Sequence, residues 1–169
     1  ICGSMFSGKT EELIRRLKRA QFAKQSVEIF KPAVDTRYAN EMVVSHDENE
    51  IRCTPVPSSA NIRLLANDIQ VVGIDEAQFF PRLKKFVECC MCVNKDVIIA
   101  GLDGDSFQNK FGELLDCIPI ACEVTKLSAL CMRCKDGTPG PFTKRIVKNQ
   151  ELELIGGSDM YIATCRNHL

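Results

Sequence analysis

Apolar positions follow two alternating rhythms along the chain. Leu13, Ile14, Leu17 and Ala20 recur at three- and four-residue intervals between Thr10 and Gln25, the spacing of a helix with one buried face. Between such stretches lie short continuous apolar runs: Val27 to Phe30, stopped by Pro32; Val71 to Ile74; and Val97 to Leu102. Runs of this kind suit strands covered on both faces. Weaker strand patterns at Met42–Ser45 and Ile51–Thr54 flank the polar turn Asp47–Glu50. Ser58 and Ser59 are positioned to cap a helix through Ile62, Leu65 and Ala66, and Pro81 suits the first turn of another through Leu83, Phe86, Val87 and Cys90. A short helix is predicted near Gly112–Asp116, and Ile1 and Cys2 end a strand. Strand and helix alternate, so the pattern predicts an α/β fold with a mainly parallel sheet.

After about Leu127 the rhythm is lost. CMRC at 131–134, the turn-rich DGTPGP, a strand-like ELELI at 151–155, Gly156-Gly157 and CRNH at 165–168 carry no long helical period. A small lobe held by something other than a large apolar core is expected there.

Composition narrows the function classes. The chain has 169 residues, 45% hydrophobic and 26% charged, room for one sizeable core and a small appendage. No apolar run approaches the ~20 residues of a membrane span. Twenty-two basic residues balance 22 acidic ones, so no global field draws the chain to nucleic acid or to anionic lipid, and neither partner is expected. Most of the ten cysteines sit in apolar runs, Cys89, Cys90 and Cys92 within FVECCMCV and Cys117 and Cys122 around IPIA. Buried free thiols and a cytoplasmic location are expected from that placement. The chain opens at Ile1 without a start methionine, so its true N-terminus is expected to lie outside the sequence.

Chemistry concentrates at three places. Gly3-Ser4-Met5-Phe6-Ser7-Gly8-Lys9-Thr10 fits G-x-x-x-x-G-K-[ST] in the required strand-to-helix context. Glycines let backbone amides point at a phosphate, the helix adds its positive end, Lys9 adds a mobile charge, and the Thr10 hydroxyl can ligate Mg²⁺. The basic residues Arg15, Arg16, Lys18, Arg19 and Lys24 on the following helix read as a solvated face paired with Glu11 and Glu12 rather than a second phosphate site.

Asp75 and Glu76 follow VVGI at the carboxyl end of a predicted central strand, where parallel sheets bind ligands. Neighbours on a strand point oppositely, so Asp75 is expected to support Mg²⁺ and Glu76 to orient the attacking oxygen. These residues alone describe a P-loop enzyme acting on ATP, either a kinase or an ATPase with water as acceptor. The third place is Cys131-x-x-Cys134 with Cys165-x-x-His168, two halves of a tetrahedral zinc site; an idle zinc-binding interaction module is the alternative from a different class. His46 beside Asp47 reads as a polar turn residue.

At GSMFSGKT, VDTRY, GIDEAQFF, the CMRC and CRNH pair and GGSDMY, in colinear order over nearly the whole chain, the sequence resembles the thymidine kinases of bacteria, cytosolic eukaryotic forms and poxviruses. That resemblance implies a P-loop NTPase (RecA-like) domain over 1–127 and a zinc-stapled lobe carrying a substrate-binding lasso loop over 128–169. It implies transfer of the γ-phosphate of ATP-Mg to the 5′-hydroxyl of thymidine or deoxyuridine, with Glu76 as general base. Gln78 joins the loop residues and Asp75 on the nucleotide side. Met5, Phe79, Leu102, Phe107 and Phe111 fall where the family lines its base pocket, Asp35 and Arg37 match its acceptor-side polar pair, and Leu152, Leu154, Ile155 and Tyr161 match its lasso. The family more often carries cysteine at the position of His168. A homotetramer and feedback inhibition by dTTP are further implications.

Overall fold

The computed structural model of the chain describes residues 1–33, 42–44, 50–56, 68–147 and 156–169. Its elements run β1 (Cys2–Gly3), α1 (Lys9–Phe22), β2 (Val27–Pro32), β3 (Met42–Val44), β4 (Glu50–Arg52), β5 (Thr54–Val56), β6 (Val71–Ile74), α2 (Leu83–Cys92), β7 (Asp96–Ile99), β8 (Gly101–Leu102) and β9 (Lys126–Leu127). Four short strands follow: β10 (Ala129–Leu130), β11 (Pro139–Gly140), β12 (Phe142–Arg145) and β13 (Tyr161–Thr164).

The strands up to β9 pair in parallel, in the orders β5-β2-β6-β7 and β8-β1-β9, apart from the antiparallel hairpin β3-β4. Only Ala100 separates β7 from β8. Its N–H donates to the Ile74 carbonyl at 2.8 Å and the next N–H, of Gly101, to that of Ile1 at 3.2 Å, so one set of parallel strands leads into the other. The fold is α/β, as the alternating pattern predicts.

Alternation along each strand sorts side chains onto two faces. Ile29 and Val71 join Leu13, Ile14 and Leu17 of α1 in one core, while Phe30, Val72 and Ile74 join Leu83 and Val87 of α2 in the other. Leu13, Leu17, Val72 and Ile74 are wholly inaccessible; each such side chain stabilises the fold by roughly 1.5–3 kcal/mol relative to exposure. Gly73 faces α1, and a Cβ there would stand 2.6 Å from Leu17 Cδ1, so its bareness lets the helix lie against the sheet. The outer face of α1 carries ion pairs from Glu12 to Arg15 at 2.6 Å and to Arg16 at 2.7 Å, with Arg16 also reaching Glu123 at 2.8 Å. The two pairs within the helix are the solvated pairing its sequence predicts.

Several boundaries differ from expectation. Pro32 is the last residue of β2 rather than its stop, at a strand end where a missing N–H breaks no continuing ladder. Pro81 stands outside α2, because Arg82 between them adopts a left-handed conformation (φ 56°) and the helix starts at Leu83. The helix near Gly112 is a 3₁₀ helix over Leu114–Ile120 with Pro119 inside it. The strand Thr54–Val56 was not expected. All ten cysteines are free thiols, but Cys89, Cys92 and Cys122 are exposed. The apolar neighbours of Cys89 and Cys92 belong to a helix whose other face is the buried one, carrying Leu83, Val87 and Cys90. The helix expected through Ile62–Ala66 and the strand at 151–155 lie outside the described residues. Among the described residues no helix is long and apolar enough to cross a membrane.

Candidate functional site

The loop from β1 to α1 is built by backbone geometry that its sequence permits. Gly3 (φ 147°) passes so close to β9 that a Cβ would meet the Leu127 carbonyl at 2.2 Å. Phe6 (φ 63°) and Gly8 (φ 80°) then turn the chain in the left-handed region, and Gly8 becomes the N-cap of α1 with no side-chain cap. The helix therefore presents its first amides and its positive end toward the loop, the arrangement that binds anions. Inside the loop the Ser4 carbonyl accepts from Ser7 Oγ at 2.8 Å and from the buried Lys9 Nζ at 2.6 Å. The loop is also tied to the far end of the sequence: Ser4 Oγ donates to the Gly140 carbonyl at 2.9 Å, and the Met5 N–H donates to Thr143 Oγ1 at 3.0 Å.

Asp75 lies just beyond β6, buried, and takes the Thr10 hydroxyl on both carboxylate oxygens, at 3.2 and 3.1 Å. Burial, followed by the negative charge of Glu76, pushes Asp75 up to about 7. Three hard oxygens thus meet at one point on the loop, on a carboxylate whose charge the fold leaves undercompensated, a donor set suited to Mg²⁺. Sequence spacing predicts opposite directions for the two acids from strand alternation. The structure parts them differently: β6 ends at Ile74, and Glu76 takes a left-handed conformation (φ 47°, ψ 43°) as the cap of the 3₁₀ turn Ala77–Phe79.

That turn carries Gln78, whose Nε2 donates to Glu76 Oε2 at 2.6 Å while its Oε1 accepts from the Leu102 N–H at 2.9 Å. Phe79 and Phe111 meet edge to face, ring centroids 5.4 Å apart. Phe107 stands apart from that pair, 54% exposed, in a turn where Asp105 Oδ1 accepts from the Phe107 and Asn109 amides. Tyr161 is buried on β13 opposite Arg145 of β12, which donates to its hydroxyl at 3.0 Å and stacks 5.4 Å from its ring centre. Asp35, Arg37, His46, Leu152, Leu154 and Ile155 lie outside the described residues.

The four expected metal ligands converge, with their ligand atoms all within 4.8 Å of one another. Cys134 Sγ and Cys165 Sγ are 3.7 Å apart, and His168 Nδ1 lies 3.8, 3.4 and 3.3 Å from the sulfurs of Cys131, Cys134 and Cys165. A tetrahedral zinc with ordinary bond lengths requires edges of about 3.8 Å between sulfurs and about 3.5 Å from sulfur to nitrogen. The residues present fit the ion, His168 included.

Sequence reasoning passed over Thr143 and Arg145, which sit in FTKR, a stretch that reads as an ordinary polar strand. Nothing in that stretch signals them: three polar residues follow Phe142, and only Thr143 of the four is buried.

Comparison with known proteins agrees with this geometry. The thymidine kinase family profile matches residues 1–169. The chain is 53% identical over 169 residues to a thymidine kinase of Bacteroides thetaiotaomicron, covering 98% of this chain and 83% of the relative. It is 48% identical over 169 residues to one of Rhodothermus sp., with 98% and 78% covered. It is also 42% identical over 170 residues to thymidine kinase 1 of Dictyostelium discoideum, with 98% and 74% covered. With a phosphate loop, an acid pair at a strand end and a match running the full length, the chain belongs to the thymidine kinase family.

Proposed function

We propose that this kinase transfers the γ-phosphate of ATP to the 5′-hydroxyl of thymidine or deoxyuridine, giving ADP and the nucleoside monophosphate. The observation that carries the reading is the meeting of Thr10 and Asp75 at the start of α1, with Glu76 adjoining. The amides of Gly3 to Thr10 and the ammonium of Lys9 hold the phosphates. Thr10 and Asp75 would hold Mg²⁺, which would supply charge neutralisation for the transferred phosphoryl group. Glu76 aligns the acceptor hydroxyl and takes its proton late, since phosphoryl transfer has a loose transition state.

Met5, Phe79, Leu102, Phe107 and Phe111 line the base side, with Asp35 and Arg37 toward the acceptor and Tyr161 and Leu152–Ile155 closing over the nucleoside. The edge-to-face contact of Phe79 with Phe111 supports an aromatic wall, and the Arg145 bond to Tyr161 supports a fixed ring there. Cys131, Cys134, Cys165 and His168 hold a structural zinc within a lobe spanning 128–169, appended to a nucleotide-binding domain over 1–127. A cytoplasmic homotetramer inhibited by dTTP completes the reading. The test is a coupled assay of ADP release with and without thymidine. Release that depends on thymidine is expected; equal release without it would assign water as the acceptor and make the protein an ATPase.

A further inference from the structure

We propose that Gln78 is a positioning residue for Glu76, a clamp that holds the acceptor-side carboxylate in one orientation. The inference rests on Glu76 being the group that orients the acceptor.

The amide of Gln78 has one workable orientation. Leu102 N–H is a donor on the backbone of β8, so the atom facing it at 2.9 Å is the carbonyl oxygen, and the NH₂ group then faces Glu76 Oε2 at 2.6 Å. A flipped amide would set donor against donor at Leu102 and acceptor against acceptor at Glu76. The side chain therefore transmits the position of a rigid strand to the carboxylate.

The surroundings keep it there. Gln78 is 4% exposed. Gly101 lies beneath its head group, where a Cβ would come within 2.5 Å of Oε1, and Gly112 (φ 60°) lies beneath its backbone, where a Cβ would come within 2.2 Å of its carbonyl oxygen. Gly112 makes room for this residue alone, and Gly101 makes room for it together with Leu114 and the Ala77 backbone. Glu76 needs such support: its left-handed backbone is costly for a residue with a side chain and persists only where neighbours over-determine it. Asp75 is bonded to Thr10 instead, so the two acids of the pair are held by different side chains.

The experiment is a kinetic double-mutant cycle with Glu76→Gln and Gln78→Met, in the full chain, reading kcat and both KM values. Gln78→Met keeps the volume and removes both polar contacts. Expected is a fall in kcat of roughly 10- to 100-fold, as for a misplaced catalytic group, with the KM for ATP within about threefold of the parent; a larger rise in that KM with kcat unchanged would instead return Gln78 to the nucleotide-side role that the family resemblance implies and overturn the clamp. The decisive readout is non-additivity: the double variant should be no slower than Glu76→Gln alone, because a residue acting through Glu76 has nothing left to position. Gln78→Leu, which removes the same two polar contacts with a different shape, should show the same non-additivity, and it keeps the test alive if Gln78→Met folds poorly. Full additivity in both cycles, or parental kcat in Gln78→Met, overturns the clamp. Parental turnover in Glu76→Gln instead overturns the role of Glu76, and the clamp with it.

Discussion

Thr10 and Asp75, 65 residues apart in sequence, are joined by a hydroxyl that both oxygens of the carboxylate share. One residue lies in the first turn of α1 and the other just past the end of β6, so the bond ties the start of the helix to the end of the strand at the point where chemistry is concentrated.

This pairing has a pH signature. Burial and the neighbouring Glu76 charge raise Asp75 from 3.8 to about 7, so between those values the folded chain holds a proton that the unfolded chain has released. The contribution of Asp75 to stability is thus full below about pH 4 and is lost as pH rises toward 7. Urea unfolding of the metal-free protein across this window should show the parent losing stability relative to Asp75→Asn as pH increases. A difference that stays level, or tilts the other way, contradicts the assignment.

Lys9 is buried against the Ser4 carbonyl, so its charge is held at the loop rather than in solvent. Lys9→Met should lower kcat by ~10²-fold or more, the usual loss for one preorganised donor at a developing charge. Steady-state assays at saturating nucleoside measure this, and circular dichroism should show the fold unchanged.

Gly73 makes the helix–sheet contact possible. Gly73→Ala would force a methyl within 2.6 Å of Leu17, a fully buried side chain with little room to yield. Destabilisation of about 1–3 kcal/mol is expected from such overpacking, read as a lower urea midpoint. Unchanged stability would mean that α1 can slide outward at no cost.

Zinc content tests the four-ligand cluster. Elemental analysis should give about one zinc per chain in the parent, and Cys134→Ser should lose it and lower the thermal midpoint by ~5 °C or more. His168→Cys should retain the metal, because a thiolate reaches the same corner of the tetrahedron. Full zinc retention in His168→Ala would remove the histidine from the set.

What could be read from the sequence was what local chemistry dictates. Gly8, Lys9 and Thr10 announced a strand-to-helix anion loop because each has a job set by its neighbours. CMRC and CRNH announced a metal cluster because ligand spacing is itself local. Strand alternation does not extend to the acid pair, because β6 ends at Ile74 and Glu76 is left-handed; their different partners, Thr10 and Gln78, come from that turn and not from the pleat. The exposure of Cys89 and Cys92 was missed because an apolar run does not say which helix face is covered. The bonds of Gln78 to Leu102 and of Ser4 to Gly140 are invisible in the sequence, since they depend on two chain segments arriving at one place, and that of Gln78 to Glu76 depends on a left-handed turn that no pattern announces.

The ties from Ser4 to Gly140 and from Met5 to Thr143 cross 136 and 138 residues. During synthesis the loop emerges long before the strand that braces it. A ribosome-bound chain stalled before Gly140 would carry every residue of the phosphate cradle and still lack its far wall. Long-range closures of this kind come late in folding, so the segment made early is among the last to be finished, and the cradle stays incomplete until the stretch from Gly140 to Thr143 has left the ribosome.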